Sequence, residues 1–500
     1  MANGSHLGLF TPQPPKTLED VRVPPAVLES LILRMVYHRQ TITGEQLQED
    51  LGLPFYGVLE PLLEQMRERR VMEITRGQMA SISYVYSITE LGRTMAIQSF
   101  ENTTYTGTAP VALEDYIASV HAQTFRNYTV TWEDVQEAFQ DLIFDDSILP
   151  QVGPALNSGR SLFLYGPPGN GKTSIAERIV RVMGDAIFIP SCLVVQGQFI
   201  QLFDPFNHEQ VRIGEDHRLE RPYDLRWRLI RRPFIITGGE LTLASLDLIW
   251  NNEAKFYEAP FQLKANTGGF MLDDFGRQKE HPRSLLNRWI VPLERRVDFL
   301  TLHTGTKIEI PFDAIIIFST NLEPKDLVDE AFLRRIRYKI PILSPTVDNF
   351  RRIWDMQCRA RGLMNDPKMV DYLLYRQVFP RGKPLRACYA RDVLDHIDDI
   401  CRFTGVPVQI NEKLIEHACE AYFVTLDSRE VIAKAKMEKE RERSKTAPVL
   451  RQGAAAAKET PKAAPRPAAK PAPAIVPGTA TAMAYQSAHK IPPPQQGQRP

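Results

Sequence analysis

The sequence predicts an α/β protein of several domains, and three observations carry that prediction. At 500 residues the chain exceeds what one hydrophobic core supports. Ser161–Tyr165 (SLFLY) is a short apolar run, followed at once by a glycine-rich loop and an amphipathic helix through Val182. Two later apolar runs, Gly268–Asp274 and Ala314–Ser319, have strand length and end in carboxylates and an amide. Composition narrows the class further: 61 basic against 60 acidic side chains leave a formal charge of +1. Binding to nucleic acid or membrane through bulk charge is thereby excluded, and any such contact must be local. No apolar run approaches the roughly 18 to 20 residues that span a bilayer, and the N-terminus lacks a signal-peptide pattern. Five scattered cysteines, with no CxxC pair, argue against a disulfide framework or a cysteine-built metal site. The expectation is a reduced, cytoplasmic chain without membrane insertion.

Taken in order, residues 1–20 read as loose, and residues 21–100 as a small α+β domain. Leu28, Leu31, Ile32 and Met35 recur at helical spacing over Ala26–His38. Thr43 is placed to cap a second helix that stops at Gly52. Val58, Leu59, Leu62, Leu63 and Met66 stripe a third helix over Tyr56–Arg70, with Pro61 blurring its start. Two β-rich runs, Val71–Thr75 and Ile82–Ile88, meet at Arg76-Gly77. Three helices and a two-stranded wing resemble a winged helix-turn-helix. That likeness implies DNA, yet residues 21–100 hold eight Lys or Arg against nine Asp or Glu, too few to supply nonspecific DNA affinity. A protein-binding role is the expectation. Residues 101–150 read as a linker with one amphipathic stretch, Thr131–Leu142.

Chemistry begins at Gly166-Pro167-Pro168-Gly169-Asn170-Gly171-Lys172-Thr173-Ser174. This is the G-x-x-x-x-G-K-[ST] pattern in its required setting of strand, loop and helix. The glycines let backbone N–H groups curl inward around a phosphate, and the helix N-terminus adds partial positive charge. Lys172 is placed for β- and γ-phosphate oxygens, and the Thr173 hydroxyl for Mg²⁺. A second metal partner is expected at the end of another buried strand, where Asp273 stands. Asp274 follows as the base that would polarise an attacking water, one methylene shorter than a glutamate. Asn321, after the strand Ala314–Ser319, offers an amide for the γ-phosphate and the water.

These elements, in this order, resemble an AAA+ ATPase over roughly residues 116–427. The likeness implies a three-layer αβα nucleotide-binding core (151–344) and a small helical lid (345–430). It also implies hydrolysis of ATP with Mg²⁺, and assembly of the chain with itself in a ring, mostly of six, that moves a client protein. By likeness Gly166–Thr173 is the Walker A loop, Asp273 and Asp274 the Walker B pair, and Asn321 sensor 1. Arg335, with Arg334 behind it and Arg337 open, would be the arginine finger of the neighbouring subunit. Arg391 is the sensor 2 choice, with Arg386 the rival. Val297–His303 and Lys307–Pro311 alternate as a hairpin just before Asn321, which resembles MoxR-type ATPases and bacterial enhancer-binding proteins. The GAFTGA loop of the latter group is missing from the sequence.

An insertion over Cys192–Lys264 departs from a compact core of this kind. It opens with a hairpin, Leu193–Phe203, around Gln196-Gly197-Gln198. Arg218, Arg221, Arg226, Arg228, Arg231 and Arg232 then crowd one stretch with Tyr223 and Trp227. Such a group grips nucleic acid or pairs with acidic surfaces, and a ring or partner interface is the expectation. Residues 431–500 read as a disordered Ala/Pro/Lys tail; its last 60 residues hold ten Lys or Arg against two Glu. Three functions stay in view: an ATP-driven remodeller, a DNA-associated ATPase or regulator, and a nucleotide switch without turnover.

Overall fold

In the computed structural model, residues 10–77, 80–184, 186–211, 222–327 and 330–423 are described. The predicted tail, residues 1–9, Arg218, Arg221 and the end of the predicted lid lie outside them.

The N-terminal region runs α1 (Pro25–Arg39), β1 (Thr41–Thr43), α2 (Gly44–Leu51), α3 (Glu60–Glu68), β2 (Met72–Arg76), β3 (Val85–Ile88) and α4 (Glu90–Asn102). Thr43 and Gln46 form a reciprocal capping box at the start of α2, and Gly52 ends that helix in the left-handed region. Helix α3 starts at Glu60 rather than Tyr56. Tyr56 and Gly57 are non-helical, and Pro61 falls in the first turn, where its missing N–H costs nothing. The expected two-stranded wing is a three-stranded antiparallel sheet of order β1-β3-β2.

At the centre lies a five-stranded, all-parallel sheet of β4 (Leu162–Tyr165), β5 (Phe234–Thr237), β6 (Gly269–Leu272), β7 (Ile315–Thr320) and β8 (Tyr338–Pro341). Its order is β5-β6-β7-β4-β8. Residues of β4, β6 and β7 are buried on both faces, which is why they read as continuous apolar runs. One face carries α5 (Lys172–Val182), whose Ile175, Ala176 and Ile179 pack with Leu162, Met271 and Ile317. The other carries α6 (Pro282–Arg295), whose Leu286 and Trp289 pack with Phe163, Phe270 and Phe318. The chain is thus α/β with three layers. Helices α7 (Val347–Ala360), α8 (Cys388–Thr404) and α9 (Glu412–Tyr422) follow, around their own apolar core.

On the side away from β7, β6 pairs with β5, and the apolar run at 186–190 takes no place in this sheet. Ala186–Pro190 instead pairs antiparallel with Trp227–Arg231 outside the central sheet. The insertion therefore falls on both sides of β5. It builds a second five-stranded sheet, in the order Ile249–Asn251, Phe256–Glu258, Gln198–Gln201, Cys192–Val195, Val111–Ala112. The expected hairpin at its heart turns through Gln196 and Gly197, both with positive φ, as a two-residue turn requires.

Two expectations are corrected by packing. Residues 10–20 are not loose: Phe10 packs on Trp227 at 5.9 Å, Pro12 and Pro15 are buried, and the Pro12 carbonyl accepts from Asp224 N–H at 2.9 Å. Residues 101–150 are not a free linker, because Val111–Ala112 joins the insertion sheet and Tyr116 is buried in its core. The N-terminal region also packs against the insertion. Cys192, Val194 and Phe199 of the insertion share its hydrophobic core, and contacts group it with the central sheet in one compact unit. All five cysteines are free thiols. Among the described residues no helix is long and apolar enough to cross a membrane.

Candidate nucleotide and hydrolysis site

Strands β6, β7 and β4 are adjacent and parallel, so the residues that follow them meet at one edge of the sheet. Gly166–Gly171 follows β4, Asp273-Asp274 follows β6, and Asn321 follows β7. The glycine loop needs its glycines: Gly166, Gly169 and Gly171 all have φ between 79° and 134°. At Gly166 a Cβ would run into the Ile342 carbonyl, and at Gly169 into the Cys388 thiol.

Lys172 opens α5 and is only 7% exposed. Its Nζ donates to the Gly166 carbonyl at 2.9 Å, the Pro167 carbonyl at 3.1 Å and Asn321 Oδ1 at 2.7 Å. Burial pulls the ammonium below its ordinary pKa; Asp273 and Asp274 act against that, and Arg386 adds to it. The Asn321 amide in turn donates to Asp274 Oδ1 at 2.7 Å. An unbroken series, Lys172–Asn321–Asp274, thus crosses all three strand ends. Beside it the Thr173 hydroxyl lies 3.5 Å from Asp273 Oδ2. A hydroxyl and a carboxylate converging in this way form the hard-oxygen pair that Mg²⁺ takes from a protein when phosphates and water complete its shell, so these residues fit that ion.

Asp273 and Asp274 sit in a tight loop. Asp274 has a φ of 47°, unusual for a non-glycine residue, and its N–H donates to Asp273 Oδ1 at 3.0 Å. Gln278, which sequence reasoning passed over, donates from Nε2 to the Asp273 carbonyl at 3.1 Å. No spacing rule marks that glutamine; only the folded loop reveals it.

The lid reaches the site through the start of α8. Cys388 N–H donates to the Gly169 carbonyl at 2.8 Å, and Ala387 N–H to Asn170 Oδ1 at 3.2 Å. Asn170 Nδ2 is buried without a partner in the same place. Arg391 does not join this contact: its side chain is 62% exposed and pairs with Asp392 at 2.8 Å. The lid arginine brought to the glycine loop is Arg386, the rival, whose charge bears on Lys172. Arg335 donates to Glu294 of α6 at 2.6 Å, while Arg334 and Arg337 are exposed.

The described arginines of the insertion are each engaged within the chain. Arg226 is buried in a pair with Asp224 at 2.7 Å and donates to the Val21 and Pro110 carbonyls at 3.3 and 3.2 Å. Arg228 donates to Ser191 Oγ at 3.1 Å, Arg231 to Glu209 at 2.8 Å, and Arg232 to the Thr267 and Gln123 carbonyls. Tyr223 packs on Phe188 at 5.0 Å.

A family described only as a domain of unknown function, DUF8689, matches residues 346–421, the stretch that forms the helical lid. No curated protein matches the sequence. Among solved structures, NtrX from Brucella abortus in complex with ATP is similar at 14% identity and a TM-score of 0.35, over 61% of this chain and 63% of that one. The chain therefore spans less than two thirds of NtrX. The Holliday junction branch migration motor RuvB from Thermotoga maritima is similar at 13% identity and a TM-score of 0.30, over 60% of this chain and 73% of that one.

Proposed function

We propose that the chain is a Mg-ATP-dependent ATPase of the AAA+ class, with a MoxR-like hairpin before Asn321, that works as a ring of its own copies to remodel a client protein. The observation that carries this reading is the Lys172–Asn321–Asp274 series across three strand ends, with Thr173 and Asp273 at its side. Lys172 exchanges its present acceptors for phosphate oxygens. Asn321 holds the water and the phosphate at a fixed separation, and Asp274 takes the water's proton as it attacks. Thr173 and Asp273 would hold Mg²⁺, which when bound supplies neutralisation of phosphate charge. Arg335 would serve the site of a neighbouring copy. The N-terminal helices and three-stranded sheet would act as a winged helix, and the near balance of basic and acidic residues over 21–100 suits a protein better than DNA.

Turnover of Mg-ATP per chain, measured across a wide range of protein concentration, tests this directly. Specific activity should climb with concentration, and Lys172→Ala should lower it by about 100-fold or more. Mixing Arg335→Ala with Asp274→Asn chains should restore part of the activity that each lacks alone, because each supplies what the other's site is missing. Flat turnover in the wild type, at the level of Lys172→Ala, sinks the motor reading. The second reading, a switch that binds ATP without turning it over, draws on Asp274 being a methylene shorter than glutamate, and that result would favour it.

A further inference from the structure

We propose that Gln278 is the positioning residue that brings the short Asp274 side chain into register with Asn321; this rests on the hydrolytic reading of the site. A carboxylate one methylene shorter than glutamate reaches a fixed point only if its backbone moves towards it. Asp274 does reach Asn321 Nδ2, at 2.7 Å, and its backbone is turned to a φ of 47°. Aspartate tolerates that region better than most residues, but something must hold it there.

Gln278 spends every polar atom of its side chain on this loop. Its Nε2 donates to the carbonyls of Asp273 at 3.1 Å and Asp274 at 3.4 Å, and its Oε1 accepts from Gly276 N–H at 2.8 Å. The far side of the loop is tied down separately. Phe275 N–H donates to the Ser319 carbonyl at 2.7 Å, and the Thr320 hydroxyl donates to the Phe275 carbonyl at 2.9 Å. Gly276, at a φ of 103°, lets the chain turn back under Gln278, and a Cβ there would strike Leu327. Strand β7 thus fixes Phe275, while Gln278 fixes the two carbonyls that flank the Asp274 turn. Gln278 touches no reacting atom; it acts through Asp274.

The test is Gln278→Glu, which keeps the size and the acceptor for Gly276 but sets an oxygen against two carbonyls; Gln278→Met is the second variant should the first fold poorly. Turnover should fall about 10- to 100-fold while the Kd for Mg-ATP stays within about twofold. In an Asp274→Asn background the same change should lower turnover no further, as required of a residue that acts only through Asp274. A fall in ATP affinity matching the fall in turnover, or an additive loss in the double variant, overturns the proposal. The Asn321 side-chain amide resonance, in protein labelled with 15N-asparagine, gives a readout independent of turnover. It should shift in Gln278→Glu, as it should in Asp274→Asn. An unmoved resonance overturns the positioning role even if the wild type hydrolyses nothing, and a wild type without turnover but with the shift leaves positioning intact and removes only the hydrolytic reading.

Discussion

Lys172 has three acceptors within reach although it is nearly buried, and one of them, Asn321 Oδ1, links it to Asp274. The amide is therefore the joint of the site: its oxygen faces the cation and its nitrogen faces the carboxylate. Asn321→Ala should lower ATP turnover about 100-fold while Kd for Mg-ATP changes little, read by steady-state turnover beside equilibrium binding. Arg226 shows the opposite use of a charged residue. Its pair with Asp224 is almost fully buried and it also satisfies two backbone carbonyls, so Arg226→Ala leaves a carboxylate without its cation. A loss of about 3 to 5 kcal/mol is expected in urea unfolding at neutral pH. The residue types at the site were legible because the phosphate-binding pattern has fixed spacing and fixed flanks. Arg226 was not, since alternation along a strand tells which residues share a face but not what covers that face. Which of Arg386 and Arg391 lies by the glycine loop was not legible for the same reason: both lie near the start of one helix, and only the packing of that helix on Gly169 separates them.

Elements carry the next level of meaning. The hairpin Val297–Thr301 and Lys307–Pro311 forms in the register that its alternation implies. Its inward residues Leu300, Leu302, Ile308 and Ile310 pack into the core of the insertion with Ile187, Leu193 and Trp227. His303, at its tip, stacks on Trp250 at 4.3 Å and shares a hydrogen bond with the Tyr257 hydroxyl. The hairpin is thus bound along its length to a sheet the sequence placed only as an insertion. That insertion has its own fastening at His208. Its Nδ1 accepts from Asp204 N–H at 3.0 Å and its Nε2 lies 2.9 Å from the Lys264 carbonyl, while Lys264 pairs with Asp204 and Glu258. Burial pulls the His208 pKa below its ordinary 6.5, with the Lys264 charge acting the same way and Asp204 against it. The unfolded chain therefore binds the proton more readily than the folded one. Stability from this group is full above about pH 6.5 and is lost as pH falls towards the folded-state value. His208→Gln should flatten the acid side of the melting-temperature profile between about pH 6.5 and 5, while the wild type loses stability there.

At the scale of the whole molecule, the N-terminal region and the central sheet are joined through the insertion. Arg34, almost fully buried, donates to the Tyr105 carbonyl at 2.9 Å and lies over the Phe199 ring at 5.6 Å. Cys192, Val194 and Phe199 belong to the same core as Leu31, Leu59 and Leu62. Removing residues 1–102 would strip one side from that core and expose the apolar face of the insertion sheet. The truncated chain should be insoluble or melt at a much lower temperature. Equal solubility and an unchanged melting midpoint would show that the N-terminal region is an independent appendage after all. The proposed ring belongs at this scale too, and the dependence of turnover on concentration decides it.

Local chemistry settled the parts of this protein that depend on neighbours in sequence. The glycine loop with Lys172 and Thr173, the caps at Thr43 and Gly52, the apolar central strands and the hairpin before Asn321 are all written within short windows. Tertiary structure alone decided which strand stands beside β6, where the insertion's arginines point, which lid arginine meets the glycine loop, and that Gln278 closes the Asp273–Asp274 turn. Each of these joins residues far apart in the chain or depends on a backbone turn at positive φ. Burial and hydrogen bonding between distant segments are set by the packing of whole elements, which no window of sequence contains.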